Sequence, residues 1–88
     1  MQDQPHSAIA RRLKRANGHL ERIIDMIEQG RPCAQIAQQL QAVESAVESA
    51  KKALIHDHIS HSLDRTFKTS GAKGQAVLRE FKLIAKYL

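Results

Sequence analysis

Ile36, Leu40, Val43, Val47, Ala50 and Leu54 follow one another at intervals of 4, 3, 4, 3 and 4. Apolar residues recurring close to the helical period keep one side of a helix apolar for about five turns. The spacing predicts one long helix from Pro32 to about Arg65. Pro32 suits a first turn, where a missing N–H costs nothing. Cys33 stands at the start of this helix, and His56, His58 and His61 stand near its end. Cys33 and His58 are 25 residues apart. At the helical rise that is about 37 Å, so the two cannot share a ligand within one chain. If a second copy of the helix packs antiparallel, crossing near residues 45 and 46, Cys33 of one meets His58 of the other. The crossing is built of Ala42, Ser45, Ala46, Ser49, Ala50 and Ala53, small residues that let two backbones approach. The expectation is a dimer with two symmetric sites, each made by both chains.

A second seam of the same period runs through Ile9, Leu13, Ala16, Leu20, Ile23 and Ile27, predicting a helix over about 8–29 with Ser7 as its N-cap. His6 lies on the arm before it. Gly18 is an interior glycine, a sign of close packing or of simple tolerance. Gly30 ends the helix, and Arg31–Pro32 turns the chain into the long one, so the two form a hairpin. Thr69, Ser70, Gly71 and Gly74 mark a loop, and Val77, Phe81, Ile84 and Leu88 share one side of a short last helix, about 75–87. With no strand signal, the fold class is all-α: one domain over 1–88, with helices at about 8–29, 33–66 and 75–87. A chain of 88 residues buries a small core, and this one has only 3% aromatic residues. Helical chains of this size often finish burying apolar surface by oligomerising. Two seams cannot both be covered inside one three-helix protomer, which again points to an antiparallel four-helix-bundle dimer or a larger homo-oligomer.

The formal net charge is +5 and the isoelectric point about 9.8, which favours an anionic partner, nucleic acid before a membrane surface. The charge is concentrated. Arg11, Arg12, Lys14 and Arg15 lie within five residues, and Arg22 continues the stripe. Arg11, Arg15 and Arg22 share a face away from the apolar seam. Phosphate contacts of this kind give affinity that falls steeply with salt. Arg12 or Asn17 would be needed to reach base edges. Without interleaved aromatics, single-strand binding is disfavoured, and duplex DNA on a flat helical surface is the expectation. The plain alternative is a solvated helix face.

One cysteine cannot make an intrachain disulfide, no apolar run approaches the length of a membrane span, and no leader pattern opens the sequence. A cytoplasmic, reducing location is expected. Cys33 by itself could be a small buried hydrophobe, but a helix N-terminus favours a thiolate. Three histidines lie within six residues, with His58 and His61 on one face at i, i+3. Thiolate plus imidazole suits nickel, cobalt, zinc or copper, and softness alone does not choose among them. His6 could add a nitrogen ligand, and the Asp57 carboxylate could orient a ligating imidazole. No phosphate loop and no nucleophile–base pair at a known spacing is present, so an enzyme is not expected.

The run from Arg12 to about Leu63 resembles the CsoR/RcnR/FrmR family of small all-helical bacterial repressors. The resemblance is carried by R-x-x-R at Arg12–Arg15 followed by Gly18, by Cys33, by QQLQAV at Gln38–Val43, and by HDHISHSL at His56–Leu63. The cysteine-to-histidine interval matches that family's sensing site. The resemblance implies a three-helix protomer, an antiparallel dimer, a dimer-of-dimers tetramer, and an apo form that holds operator DNA until an effector fills the site. Copper(I) members carry a second cysteine where Ser62 stands here, so the resemblance demotes copper. Nickel and cobalt members use a cysteine, helix histidines and an amino-terminal histidine, a set that Cys33, His58, His6 and His61 resemble. Formaldehyde members use the cysteine with an amino-terminal proline amine; here Pro5 is internal, leaving only the Met1 amine. Glu44 stands where the family has a basic residue on the middle helix. The leading expectation is a metal-responsive transcriptional repressor, for nickel or cobalt before zinc. The alternatives are a formaldehyde sensor acting through Cys33 and, in another class, a helical interaction protein that binds metal incidentally.

Overall fold

The computed structural model describes the backbone of residues 5–68 and 72–88, and the side chains of 6–62 and 74–88. Three helices follow in order: α1 (Pro5–Glu28), α2 (Cys33–Lys68) and α3 (Ala72–Ala85). No strand occurs among the described residues. No described helix is long and apolar enough to cross a membrane.

α1 begins three residues before the expected start. Proline fits N1, and Pro5 begins the helix ahead of the Ser7 cap. His6 therefore lies in the first turn of α1 and not on a free arm. The helix ends in a Schellman turn. Gly30 takes φ 71°, the Gly30 N–H donates to the Ile27 carbonyl at 3.1 Å, and the Arg31 N–H donates to the Met26 carbonyl at 3.0 Å. Only glycine adopts that φ cheaply, which fixes the turn at this position. α2 starts at once: the Pro32 carbonyl accepts from the N–H groups of Gln35 and Ile36 at 3.0 and 3.2 Å. Pro32 thus precedes the helix as its first acceptor, and Cys33 is the first helical residue.

α3 starts at Ala72, so Gly74 belongs to the helix and not to a loop. A glycine inside a helix costs propensity but is tolerated when neighbours hold the turn. The Tyr87 and Leu88 N–H groups close the last turn on the Ile84 and Ala85 carbonyls. Of the expected loop, Thr69, Ser70 and Gly71 lie outside the described residues.

The chain packs as two compact units, Met1–Lys51 and Lys52–Leu88. In the first, α1 and the N-terminal part of α2 form an antiparallel hairpin. Each apolar seam divides by position in the seven-residue repeat. Ile9, Ala16 and Ile23 are buried, as are Val43 and Ala50 on α2. The alternate members, Leu13, Leu20 and Ile27 on α1 and Leu40 and Val47 on α2, stay exposed. Among the described residues Ile23 is the one large side chain sealed from solvent, at 1% exposure. One half of each seam closes the hairpin and the other half is left on the surface. In the second unit Ile55 is buried, while Leu54, Leu78, Phe81 and Leu83 are exposed.

Candidate functional site

The basic residues of α1 sort into two groups. Arg12, Arg15 and Arg22, at i, i+3 and i+10, line one hollow of about 460 Å³ with Ala16 and His19 of α1 and Ala46 and Ser49 of α2. Arg11 and Lys14 are exposed and are not among its lining residues. His19 was not singled out by its sequence context. Its Nε2 lies 2.6 Å from the Gln39 amide oxygen in a part-buried bond between α1 and α2.

At the far end of α2, His58 is 39% exposed as a side chain, yet its Nε2 is shielded from solvent and makes no well-formed hydrogen bond. The group nearest that nitrogen is Glu80 Oε1 on α3, at 2.5 Å. A carboxylate only accepts, so the contact favours a proton on Nε2 and leaves Nδ1 as the lone pair for a ligand. The carboxylate that the fold sets beside His58 is that of Glu80. Glu80 escaped the sequence reading because the pair is 22 positions apart and shares no periodic pattern. Asp57 acts through its backbone: its carbonyl accepts from His61 Nδ1 at 3.0 Å. That bond turns His61 back onto its own helix. His58 and Ser62 also line an apolar hollow of about 370 Å³ walled by Ile59, Val77, Leu78 and Phe81.

Cys33 is a free, exposed thiol at the first position of α2. It belongs to the first compact unit, whereas His58 and His61 belong to the second. His6 is exposed in the first turn of α1. No group of three His, Cys, Asp or Glu side chains that could hold a metal ion occurs among the described residues. A transition metal needs more donors than any one cluster among the described residues provides. What α2 offers is an exposed thiol at its start and, 25 residues on, an imidazole beside the Glu80 carboxylate.

A family model for metal-sensitive transcriptional repressors matches residues 5–86. The copper-sensing transcriptional repressor CsoR of Mycobacterium ulcerans (strain Agy99) is 37% identical over 75 residues, covering 83% of this chain and 61% of that protein. CsoR of Bacillus subtilis (strain 168), also copper-sensing, is 33% identical over 79 residues, covering 90% of this chain and 77% of that protein. The chain thus spans about three fifths of the length of the mycobacterial CsoR proteins that it matches. Among solved structures, the nickel-responsive transcriptional regulator InrS superposes with a TM-score of 0.83 at 26% identity, covering 100% of this chain and 97% of that one. Its helical order, its residues and its fold all agree with one group of regulators, a group of repressors and not of enzymes. The chain belongs to the metal-sensitive transcriptional repressor family.

Proposed function

We propose that the chain is a repressor that holds operator DNA on the basic face of α1 and releases it when a metal ion bridges two subunits. In this reading Cys33 of one subunit and His58 of the partner subunit are the core ligands, with His6 and His61 as further candidates. The observation that carries the reading is the pair of half-sites on α2. An exposed thiol opens the helix, and an imidazole whose Nε2 is engaged by Glu80 lies 25 residues on. Two-fold antiparallel pairing of the helix turns two incomplete halves into two complete sites. The exposed members of both seams, Leu13, Leu20, Leu40 and Val47, supply apolar surface for that pairing. A dimer of dimers is the assembly proposed.

Nickel or cobalt is the effector this donor set favours. The chain has a single cysteine, and Ser62 lines the hollow beside His58. One thiolate with imidazole nitrogens suits these borderline ions better than copper(I), which prefers several soft ligands. The nickel-responsive regulator among the structural relatives is consistent with that choice. The copper-sensing relatives make copper(I) the ion to beat. Binding can shift the DNA-bound population only by the difference in its affinity for the two states. A bridge between two α2 helices would supply that difference by fixing their relative placement and re-aiming the α1 helices packed on them.

The test is a titration of the duplex-bound protein with nickel, cobalt, zinc, copper(I) and formaldehyde, following release by fluorescence anisotropy. Nickel or cobalt should release the DNA, with a thiolate charge-transfer band that is lost in Cys33→Ala. Release by copper(I) alone would overturn the effector assignment. Release by formaldehyde alone would make the exposed Cys33 thiol a reactive group instead of a ligand. Absence of any DNA complex would leave only a helical interaction protein.

A further inference from the structure

We propose that the hollow between α1 and the N-terminal part of α2 is a seat for a single phosphate group, in which His19, oriented by Gln39, acts with Arg12, Arg15, Arg22 and Ser49. The inference rests on the DNA-binding reading above for its source of phosphate, a backbone phosphodiester of the duplex. It goes beyond that reading by assigning an open hollow between two helices, with an imidazole held at its wall, where a flat basic stripe was expected.

The lining chemistry is one-sided. Three arginines, a histidine, a serine and two alanines line the hollow, and no acidic residue does. Two of the lining residues are alanines, Ala16 of α1 at 7% exposure and Ala46 of α2, and their short side chains leave room beside the arginines. Arginine forks match phosphate oxygens in pairs, which is why guanidinium clusters select phosphate over a diffuse negative charge. His19 is held in place. The Gln39 amide oxygen accepts from Nε2, so the proton sits on that nitrogen and Nδ1 is left over for a ligand. A neutral Nδ1 carries a lone pair and repels a phosphate oxygen, whereas a protonated one donates to it. The hollow is shared by His19 with Arg12, Arg15 and Arg22 from α1 and Ala46 and Ser49 from α2, and Gln39 of α2 bonds the ring. A phosphate bound beside the ring favours its charged form. Phosphate entry is therefore linked to the uptake of one proton from solvent onto the His19 ring, and the linkage makes affinity fall as pH rises through the histidine range.

The experiment compares the full-length protein with His19→Gln and Ser49→Ala, binding a fluorescent duplex by anisotropy across a salt series at about pH 6 and about pH 8. Glutamine can still donate to Gln39, and circular dichroism checks that the variant keeps its helices. Wild type should bind more tightly at the lower pH. His19→Gln should lose most of that pH dependence, and at the lower pH its slope of log affinity against log salt should be shallower by about one ion. Ser49→Ala should weaken binding by the same factor at both pH values. A folded His19→Gln protein with the wild-type salt slope and pH dependence would overturn the proposal. A parallel arm follows the His19 ring resonances of wild type by NMR during titration with inorganic phosphate. If that ring responds to inorganic phosphate while the protein binds no duplex, the seat stands, its ligand is free phosphate, and the DNA reading is the one that fails. If neither phosphate nor duplex perturbs His19, the seat itself is refuted.

Discussion

The two compact units of this chain hold opposite kinds of hollow. Between α1 and the start of α2 the lining is basic, with three arginines and a tethered histidine drawn from one chain. Between the end of α2 and α3 the lining is apolar, and a single imidazole with its carboxylate partner stands at its edge. The first arrangement is complete in the protomer, because every group it needs lies on two helices joined by a four-residue turn. The second is not. The thiol that would complete it lies in the other unit, and no three metal-binding side chains converge among the described residues. An anion-binding face can be encoded locally, whereas the sensing centre proposed here has to be encoded through symmetry. That difference suits a switch. A site that exists only between subunits reports on how they are arranged, and the basic face inside each subunit is carried along.

The comparison breaks most severely at the hairpin core. Ile23 is sealed between α1 and α2, and Ile23→Ala should cost about 2–5 kcal/mol. Thermal melting would check this, and a loss below about 1 kcal/mol would mean the hairpin is not what supports the basic hollow. Glu80→Gln comes next, because the amide keeps the shape but loses the charge that favours a proton on His58 Nε2. Removing such an orienting partner typically costs about 10–100-fold in metal affinity, so nickel titration should show a loss of that order with duplex binding unchanged. Were metal affinity unaltered, the imidazole would not be oriented through Glu80.

The Arg12→Ala and Arg15→Ala variants probe the other hollow. Each should weaken duplex binding and reduce its salt slope by about one ion, while leaving metal affinity alone. Arg11→Ala, outside the hollow, should change the slope less than either. Equal effects at all three positions would mean a diffuse stripe in place of a hollow. The smallest expected effect is at Gly18, where an added Cβ meets nothing within 4 Å. Gly18→Ala should therefore stabilise the protein by up to about 1 kcal/mol through helix propensity alone. A lower melting temperature would show that this face is covered in the assembly.

Much of this architecture was legible from periodicity. Both long helices and the turn at Gly30 follow from seams spaced 4 and 3 and from one glycine at the right place. The same seams could not say which of their members the hairpin would bury. Ile9 and Leu13 are equally apolar, and only the packing of α1 on α2 separates them. Helix ends were misplaced where two signals competed: Pro5 began α1 ahead of Ser7, and Gly74 was absorbed into α3. The contacts that matter most to the hollows, His19 with Gln39 and His58 with Glu80, join residues about 20 positions apart. No local pattern encodes such pairs, because each depends on how one helix lies against another. Asp57 stands next to His58 in sequence, but along a helix a neighbour at i−1 points to a different side of the cylinder.

The central claim is that each metal site takes Cys33 from one subunit and His58 from another, and mixing two defective proteins tests it most directly. Cys33→Ala and His58→Ala should each lose the nickel–thiolate band and nickel-dependent release of duplex. When the two are unfolded together and refolded, mixed dimers carry one site with both residues intact and one with neither. The account predicts that the mixture regains the charge-transfer band and part of the release, in proportion to the fraction of mixed dimers. A mixture that forms mixed dimers yet stays as silent as its two components would contradict a site shared between chains.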